Sequence, residues 1–591
     1  MSVPAGSSRR CWPGRYLPVA ILGLILPAAQ ASAAEAPRAE ARLRLQRLDQ
    51  SINDWDLPAA KKELAELERL EPENAESLQY FQGRIAFEEG RYAEAVQLFT
   101  AAGLDDKPGS YLRLAKDTKK IIQDHLRAES EHFIFFYPKG KDEILAPYAL
   151  ETLESIRQAL FEDLGFAPAE KVRVEVVNDA RELSKVSTLT YKQIITTGTI
   201  AICKFNKLMI TSPKAVLHGY DWRDTLAHEF VHLVVSQKSH NSVPIWLHEG
   251  FAKYLESRWR GGPALSISPS TLALLGDRVK KDKLIPFERM HPSIALLPSP
   301  EDAATAFAEV FFAVDFIYRE HGPAALRSVI DELSRGKDDK KAVEAVTHKS
   351  FAAFEKSWLA HVKAQPFPKG LIPMSEEKVV LKDQAPSAKK ESDKKGKEIS
   401  FIDFAEVSEA PARKFAHLGE LMRERGRAGA AAEEFAKARG LVGDKYESIS
   451  NKYALSLLEL RRLDEAEQVL QSLLTIHPGS PATNVHLGRI YMWRKDMPKA
   501  KVAYLEALAS DPFDEEIHLS LLRIHTAMGA KALAQRARDA SVILTGLPPE
   551  KVDRVAAALG KENRPLAESA VPDEDPRRQK PDAGQSRDAG P

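Results

Sequence analysis

Two cysteines in 591 residues, Cys11 and Cys203, leave little room for sulfur chemistry. Cys11 falls in an N-terminal segment that reads as a removable signal, so Cys203 stands alone in the mature chain and no intramolecular disulfide can form. A catalytic thiol needs a paired base; Cys203 reads instead as a small buried hydrophobe on a strand. Net charge is missing too, with 84 Lys+Arg against 84 Asp+Glu. A neutral chain has no electrostatic pull toward nucleic acid, and none is expected as a partner. Long apolar runs are absent as well. The one notable stretch, Leu17 to Leu26, follows Arg9, Arg10 and Arg15 and precedes Ala31-Ser32-Ala33. It is too short for a confident span and reads as a secretory signal over residues 1–33. The expectation is an exported chain, periplasmic or extracellular, with no stable membrane span after cleavage. Left uncleaved, the same segment would tether the chain to a membrane.

What is present is length and repetition. A chain of 591 residues exceeds one core and suggests three or four domains. Gly488, Tyr491, Ala500, Tyr504, Ala507 and Pro512 recur in register with Ala454, Ala466, Leu470, Leu473 and Pro478. Upstream, Gly419, Ala431, Phe435 and Ala438 keep the internal spacing. Small residues let the two helices of a hairpin close, aromatics fill the gap between hairpins, and proline ends the second helix. These slots resemble tetratricopeptide repeats, which implies an all-α array over 411–545 that binds protein partners in a groove. Gly83, Ala95, Phe99 and Ala102, with Ala60, Leu64, Leu67 and Pro72 ahead of them, give a similar array over 38–127. A generic helical bundle is the alternative there.

Between the arrays the pattern changes to an α+β domain over 128–370. Phe133 to Tyr137, Lys171 to Val177, Thr199 to Phe205 and Leu208 to Thr211 read as strands. A helix from about Ile144 to Leu164 ends at Gly165, and helices dominate from Asp221 to Ala364. Residues 371–410 are polar and lysine-rich and read as a solvated linker. Mixed acids and missing aromatics argue against a nucleic-acid patch there. Residues 546–591 read as a disordered tail.

The chemistry concentrates at His228-Glu229-Phe230-Val231-His232. A helix turns about 100° per residue, so His228 and His232 share one face and can offer two imidazoles to one ion. Glu229 then lies beside the open coordination position, where a carboxylate can take a proton from water. Asp221 can cap this helix, and Leu226, Ala227, Phe230, Val231, Leu233 and Val234 give it a buried character. A catalytic zinc needs a third protein ligand. After the polar loop Ser236 to Ser242, Pro244-Ile245-Trp246-Leu247-His248-Glu249-Gly250 opens a second helix. Antiparallel to the first, it brings Glu249 level with the histidines, and Gly250 suits close helix packing.

His-Glu-Phe-Val-His followed by Trp-Leu-His-Glu-Gly-Phe-Ala resembles the gluzincins, and within them the peptidase-MA-like branch. The resemblance covers about residues 130 to 365, with its specific part at 221 to 256. It implies His228, His232 and Glu249 as ligands of one zinc ion, and Glu229 as general base and later general acid. The expected fold is a zincin-like metallopeptidase domain flanked by tetratricopeptide-type modules. The expected function is zinc-dependent hydrolysis of proteins or peptides, with the repeats recruiting substrate or partners; the alternative is a catalytically silent scaffold.

Departures leave questions open. Some gluzincins place an Asp four residues after the glutamate ligand to orient a histidine; that position here is Lys253, and Asp224 or Glu256 could serve instead. Tyr254, Tyr318 and His240 are candidate transition-state donors. His248 is either a pocket wall or a donor to the oxyanion. Thr197 to Ala201 lies where a substrate-binding edge strand is expected. It lacks an acid to hold a free amino terminus, which favours cleavage within a chain.

Overall fold

The computed structural model describes residues 35–71, 74–216, 219–262, 267–368, 404 and 406–559. The signal read over 1–33, most of the linker and the end of the tail lie outside these residues.

Five helices come first: α1 (Glu35–Asn53), α2 (Leu57–Leu70), α3 (Ala75–Glu88), α4 (Tyr92–Ala101) and α5 (Tyr111–Ile122). They are followed by β1 (Leu126–Glu129), β2 (Phe133–Tyr137), α6 (Leu145–Leu164), β3 (Val172–Val177), α7 (Ala180–Val186), α8 (Tyr191–Thr197), β4 (Ala201–Lys204) and β5 (Lys207–Thr211). The sheet order is β1-β2-β3-β5-β4. Its three central strands run parallel and both outer ones antiparallel, so β4 forms an open edge. β1 escaped the sequence reading because Leu-Arg-Ala-Glu contains no β-branched or aromatic residue.

Both faces of the sheet are covered, which explains why β3 is buried along most of its length. On one face, Phe133 meets Phe230 of the histidine motif, ring centres 5.1 Å apart. On the opposite face lies the N-terminal array. Lys207 Nζ donates to Tyr92 Oη (2.5 Å) and to Glu175 Oε2 (2.9 Å), with all three groups buried. Arg173 also pairs with Glu175, and its guanidinium lies 3.7 Å from the Phe136 ring centre. At the β4–β5 turn, Phe205 inserts against Phe87, ring centres 5.1 Å apart. The boundary read at 127/128 thus crosses a continuous core: α3 to α5 form a layer of the α+β domain rather than a module beside it.

Seven helices follow: α9 (Trp222–Ser239), α10 (Ile245–Leu255), α11 (Pro269–Lys280), α12 (Pro300–His321), α13 (Pro323–Ser334), α14 (Asp339–Thr347) and α15 (Phe351–Lys363). The C-terminal array then runs as α16 (Ala410–Glu424), α17 (Ala428–Val442), α18 (Glu447–Glu459), α19 (Leu463–Leu474), α20 (Pro481–Trp493), α21 (Met497–Ser510), α22 (Glu515–Ala527), α23 (Lys531–Thr545) and α24 (Pro549–Ala558). The repeat slots act as their chemistry requires. A Cβ on Gly488 would stand 2.6 Å from the Tyr504 ring, so α20 closes on α21 only with glycine there.

Two boundaries need correction. Residues 549–558, assigned to a disordered tail, form α24, which buries Val552 and Ala556. Its apolar residues Val552, Val555, Ala556 and Leu559 do fall at helical spacing, but the segment is only ten residues long and stands beside a polar, proline-rich tail, and its packing on α22 and α23 declares it. The linker likewise ends early: Phe404 and Val407 are fully buried against α16 and α17.

The C-terminal array is docked on the α+β domain. The Tyr220 backbone N–H donates to the Ser510 carbonyl (3.1 Å), and the Trp222 indole donates to the Leu508 carbonyl (3.1 Å). Gly219, at φ +71°, lies so close that a Cβ would approach the Ser510 oxygen to 2.3 Å. Ser270 Oγ donates to the Ile476 carbonyl (3.2 Å), and Arg536 pairs with Glu151 on α6. The helix carrying the histidine motif therefore starts in a seat made by the repeats.

Candidate metal centre

Helix α9 begins where Asp221 accepts the Asp224 N–H, a side-chain cap on its first turn. It continues to Ser239, so the connecting loop is shorter than the polar run Ser236 to Ser242 suggested. Ser236 and Ser239 are buried inside the helix, so they continue it rather than stop it. His240 and Asn241, both at φ 52°, make the turn. Helix α10 starts after Pro244 and is fixed there by Trp246, which stacks on Phe287 (4.3 Å) and donates to Asp339 Oδ2 (2.8 Å). Gly250 sets its depth: a Cβ would lie 2.9 Å from the Val310 carbonyl and from Val314 on α12. Gly250→Ala is expected to push α10 off α12, costing about 1–3 kcal/mol in a urea melt and weakening metal uptake by displacing Glu249.

The two helices bring three side chains together. Glu249 Oε2 stands 3.5 Å from His228 Nε2 and 3.5 Å from His232 Nε2. One ligand atom from each of the three falls within 4.8 Å of the others. Two atoms each about 2.1 Å from a tetrahedral zinc stand about 3.4 Å apart, so the two Glu249–histidine distances and the N/N/O donor set fit that ion.

The electrostatics suit a cation. Burial alone would lower His228, but hydrogen bonds to Glu249 and Glu256 outweigh it and hold the imidazole at about 10. Burial would likewise raise Glu249, yet His232 and His228 draw its carboxyl well below the usual range. Glu229 is different. Burial dominates there and raises its carboxyl, against the pull of both histidines and a hydrogen bond from the Cys203 backbone on β4. That contact places Glu229 between the cluster and the open sheet edge.

Of the two candidates for orienting a histidine, the geometry selects Glu256. Its Oε2 lies 2.9 Å from His228 Nδ1, and Lys253 Nζ holds its other oxygen at 2.7 Å. Asp224 is engaged elsewhere, accepting from Trp259 Nε1 (2.6 Å) and pairing with Arg260. Of the donors proposed from sequence, Tyr254, Tyr318 and His240 are not among the clustered groups. Tyr254 packs on Phe311 and Tyr318, toward α12, with Asp315 its main charged neighbour. His240 is exposed at the far end of α9, eight residues beyond His232 and about 12 Å along the axis. His248 lies at the site, its ring 4.3 Å from that of His232. The edge strand is Ala201–Lys204, slightly later than the Thr197 to Ala201 stretch, because Gly198 ends α8 in a left-handed conformation. Sequence reasoning missed Ser236, whose Oγ meets His248 Nε2 at 3.1 Å, and the Cys203 backbone contact. Main-chain groups are the same in every residue and leave no signal.

Comparison with known proteins agrees with this architecture. A tetratricopeptide-repeat model matches residues 457–524. No curated protein matches the chain. One similar solved structure is "Crystal structure of APC/C hetero-tetramer Cut9-Hcn1", at 12% identity over 90% of this chain and 85% of that one. Its TM-score is 0.23, too low to carry an argument. The Peptidase MA superfamily model matches residues 154–364, a span that holds His228, Glu229, His232, Glu249 and Glu256. The chain carries a Peptidase MA superfamily domain followed by a tetratricopeptide repeat.

Proposed function

We propose that the chain is an exported zinc-dependent peptidase that cleaves within protein or peptide chains, with repeats that recruit substrate or partner proteins. One observation carries this reading: two imidazoles and a carboxylate from neighbouring helices converge within 4.8 Å of one another, with a buried fourth side chain, Glu229, beside them. His228, His232 and Glu249 would hold the ion. Zinc in such a site acidifies a water, from a pKa of about 15.7 toward 7, and polarises the scissile carbonyl.

Glu229 supplies the proton chemistry. Its burial brings the carboxyl nearer neutrality, where a general base is most effective. It takes the proton of the attacking water and passes it to the leaving amine. The open edge of β4, whose Cys203 N–H reaches Glu229, offers main-chain groups to an extended substrate. Export rests on the sequence signal at 1–33; among the described residues no helix is long and apolar enough to cross a membrane.

Metal analysis beside a broad peptide-library digest tests the proposal. One zinc per chain with internal cleavage supports it, and cleavage unaffected by chelation overturns it. A second reading, a zinc-binding scaffold without turnover, is favoured by the placement of Tyr254, Tyr318 and His240 outside the cluster. Zinc without cleavage would select it. Glu256→Ala is expected to weaken zinc affinity by about 10–100-fold in a chelator competition, since His228 loses the acceptor that fixes its ring.

A further inference from the structure

The two histidines are held by different means. His228 Nδ1 has Glu256, whereas His232 Nδ1 is buried and finds no hydrogen-bond partner among the described residues. An imidazole without a hydrogen-bond anchor on that nitrogen is aimed about χ2, a broad torsion, only by what packs against its ring. His232 does have a ring laid against it. His248 stacks face to face with it, centres 4.3 Å apart and planes 7° from parallel. The stacked ring is itself fastened, because Ser236 Oγ lies 3.1 Å from His248 Nε2 and Ser236 is buried one turn beyond His232 on α9. Helix α10 therefore brings a ligand and a brace in adjacent residues, Glu249 and His248, and the brace is locked onto the helix it supports.

We propose that His248 is a positioning residue: clamped by Ser236, its ring fixes His232 so that Nε2 faces the point shared with His228 and Glu249. This rests on the zinc reading of that point. Supporting contacts around a metal ligand are typically worth about 10–100-fold in affinity, and here a ring face takes the place of a hydrogen bond.

The experiment uses the full chain and two readouts: zinc affinity by chelator competition and the visible spectrum of the cobalt(II)-substituted protein. His248→Ala should weaken zinc about 10-fold or more and alter the cobalt bands. His248→Phe keeps a flat ring but loses the Ser236 clamp, so it should resemble Ser236→Ala and fall between the parent and His248→Ala in both affinity and bands. If His248→Ala fails to fold, Ser236→Ala serves, with a weakening of a few-fold and altered bands expected. Parent-like affinity and bands in His248→Ala would overturn the proposal, even if kcat fell, since His248 would then act on substrate. A Phe variant as impaired as the Ala variant would overturn it too, as would a silent Ser236→Ala. A parent protein that takes up no zinc would sink the metal reading itself; a zinc-binding parent with an indifferent His248→Ala sinks only the brace.

Discussion

Glu229→Gln should lower peptide hydrolysis by about 10²–10⁴-fold while leaving one zinc bound. The amide is nearly the same size and still accepts the Cys203 N–H through its oxygen, so the local packing of α9 against β4 survives. What disappears is a group that can both remove a proton and return it. Because Glu229 is not among the three side chains at ligand spacing, its replacement leaves the donor set intact. Turnover assays and metal content on the same preparation separate the two effects. Full activity in the variant would end the general-base assignment; loss of zinc would mean that Glu229 is a ligand. A variant that binds and does not cleave also serves as a trap for the natural substrate.

Glu175→Gln is the substitution with the largest expected cost to stability, about 3–5 kcal/mol. Glu175 is fully buried and faces Lys207, also fully buried, as well as Arg173 and the Tyr92 hydroxyl. Removing its charge leaves an ammonium in the interior without its partner. Burial and the like charge of Arg173 already pull Lys207 down, so it tolerates no further loss. For Glu175, burial works to raise the carboxyl, but Lys207 and Arg173 prevail and hold it at about 2, from an ordinary 4.5. A depressed carboxyl stabilises the fold above its unfolded value and stops doing so as pH falls through its folded one. The parent should therefore lose stability between about pH 4.5 and 2, and Glu175→Gln should lack that component. Urea melts at pH 7 and pH 3.5 check both statements. Adding Lys207→Met to the Gln variant should recover part of the loss, because an apolar replacement leaves no stranded charge.

The residues that were readable in advance are those whose signal is local. His228, Glu229 and His232 announce themselves through helical phase, Glu249 through a second helix of the right polarity, and Gly250 through its cost inside that helix. Glu256 was readable in principle. Seven residues past Glu249 is close to two helical turns, which returns it to the same face, yet only coordinates show that Trp259 and Arg260 have claimed the rival Asp224. The helical hairpins are legible because small and aromatic slots repeat, whereas α24 has no such slots and sits in a stretch whose composition reads as tail. The sheet's second layer was not legible. Nothing local in the sequence marks Tyr92, Glu175 and Lys207 as buried, and their burial follows from neutralising one another across elements far apart in sequence. Docking of the C-terminal array was invisible for another reason: its acceptors are the carbonyls of Leu508 and Ser510, and carbonyls carry no side-chain identity.

That docking changes what the covalent connection between the halves is for. Since the foot of α9 rests on carbonyls from α21, with apolar packing continuous across the junction, a single nick anywhere in residues 369–403 should leave two fragments that co-elute and bind zinc as tightly as the intact chain does. The Peptidase MA superfamily domain expressed without the repeats would instead bare the Trp222 indole and the Tyr220 amide to water. Truncation at an apparent domain border would amputate part of the scaffold beneath the first histidine.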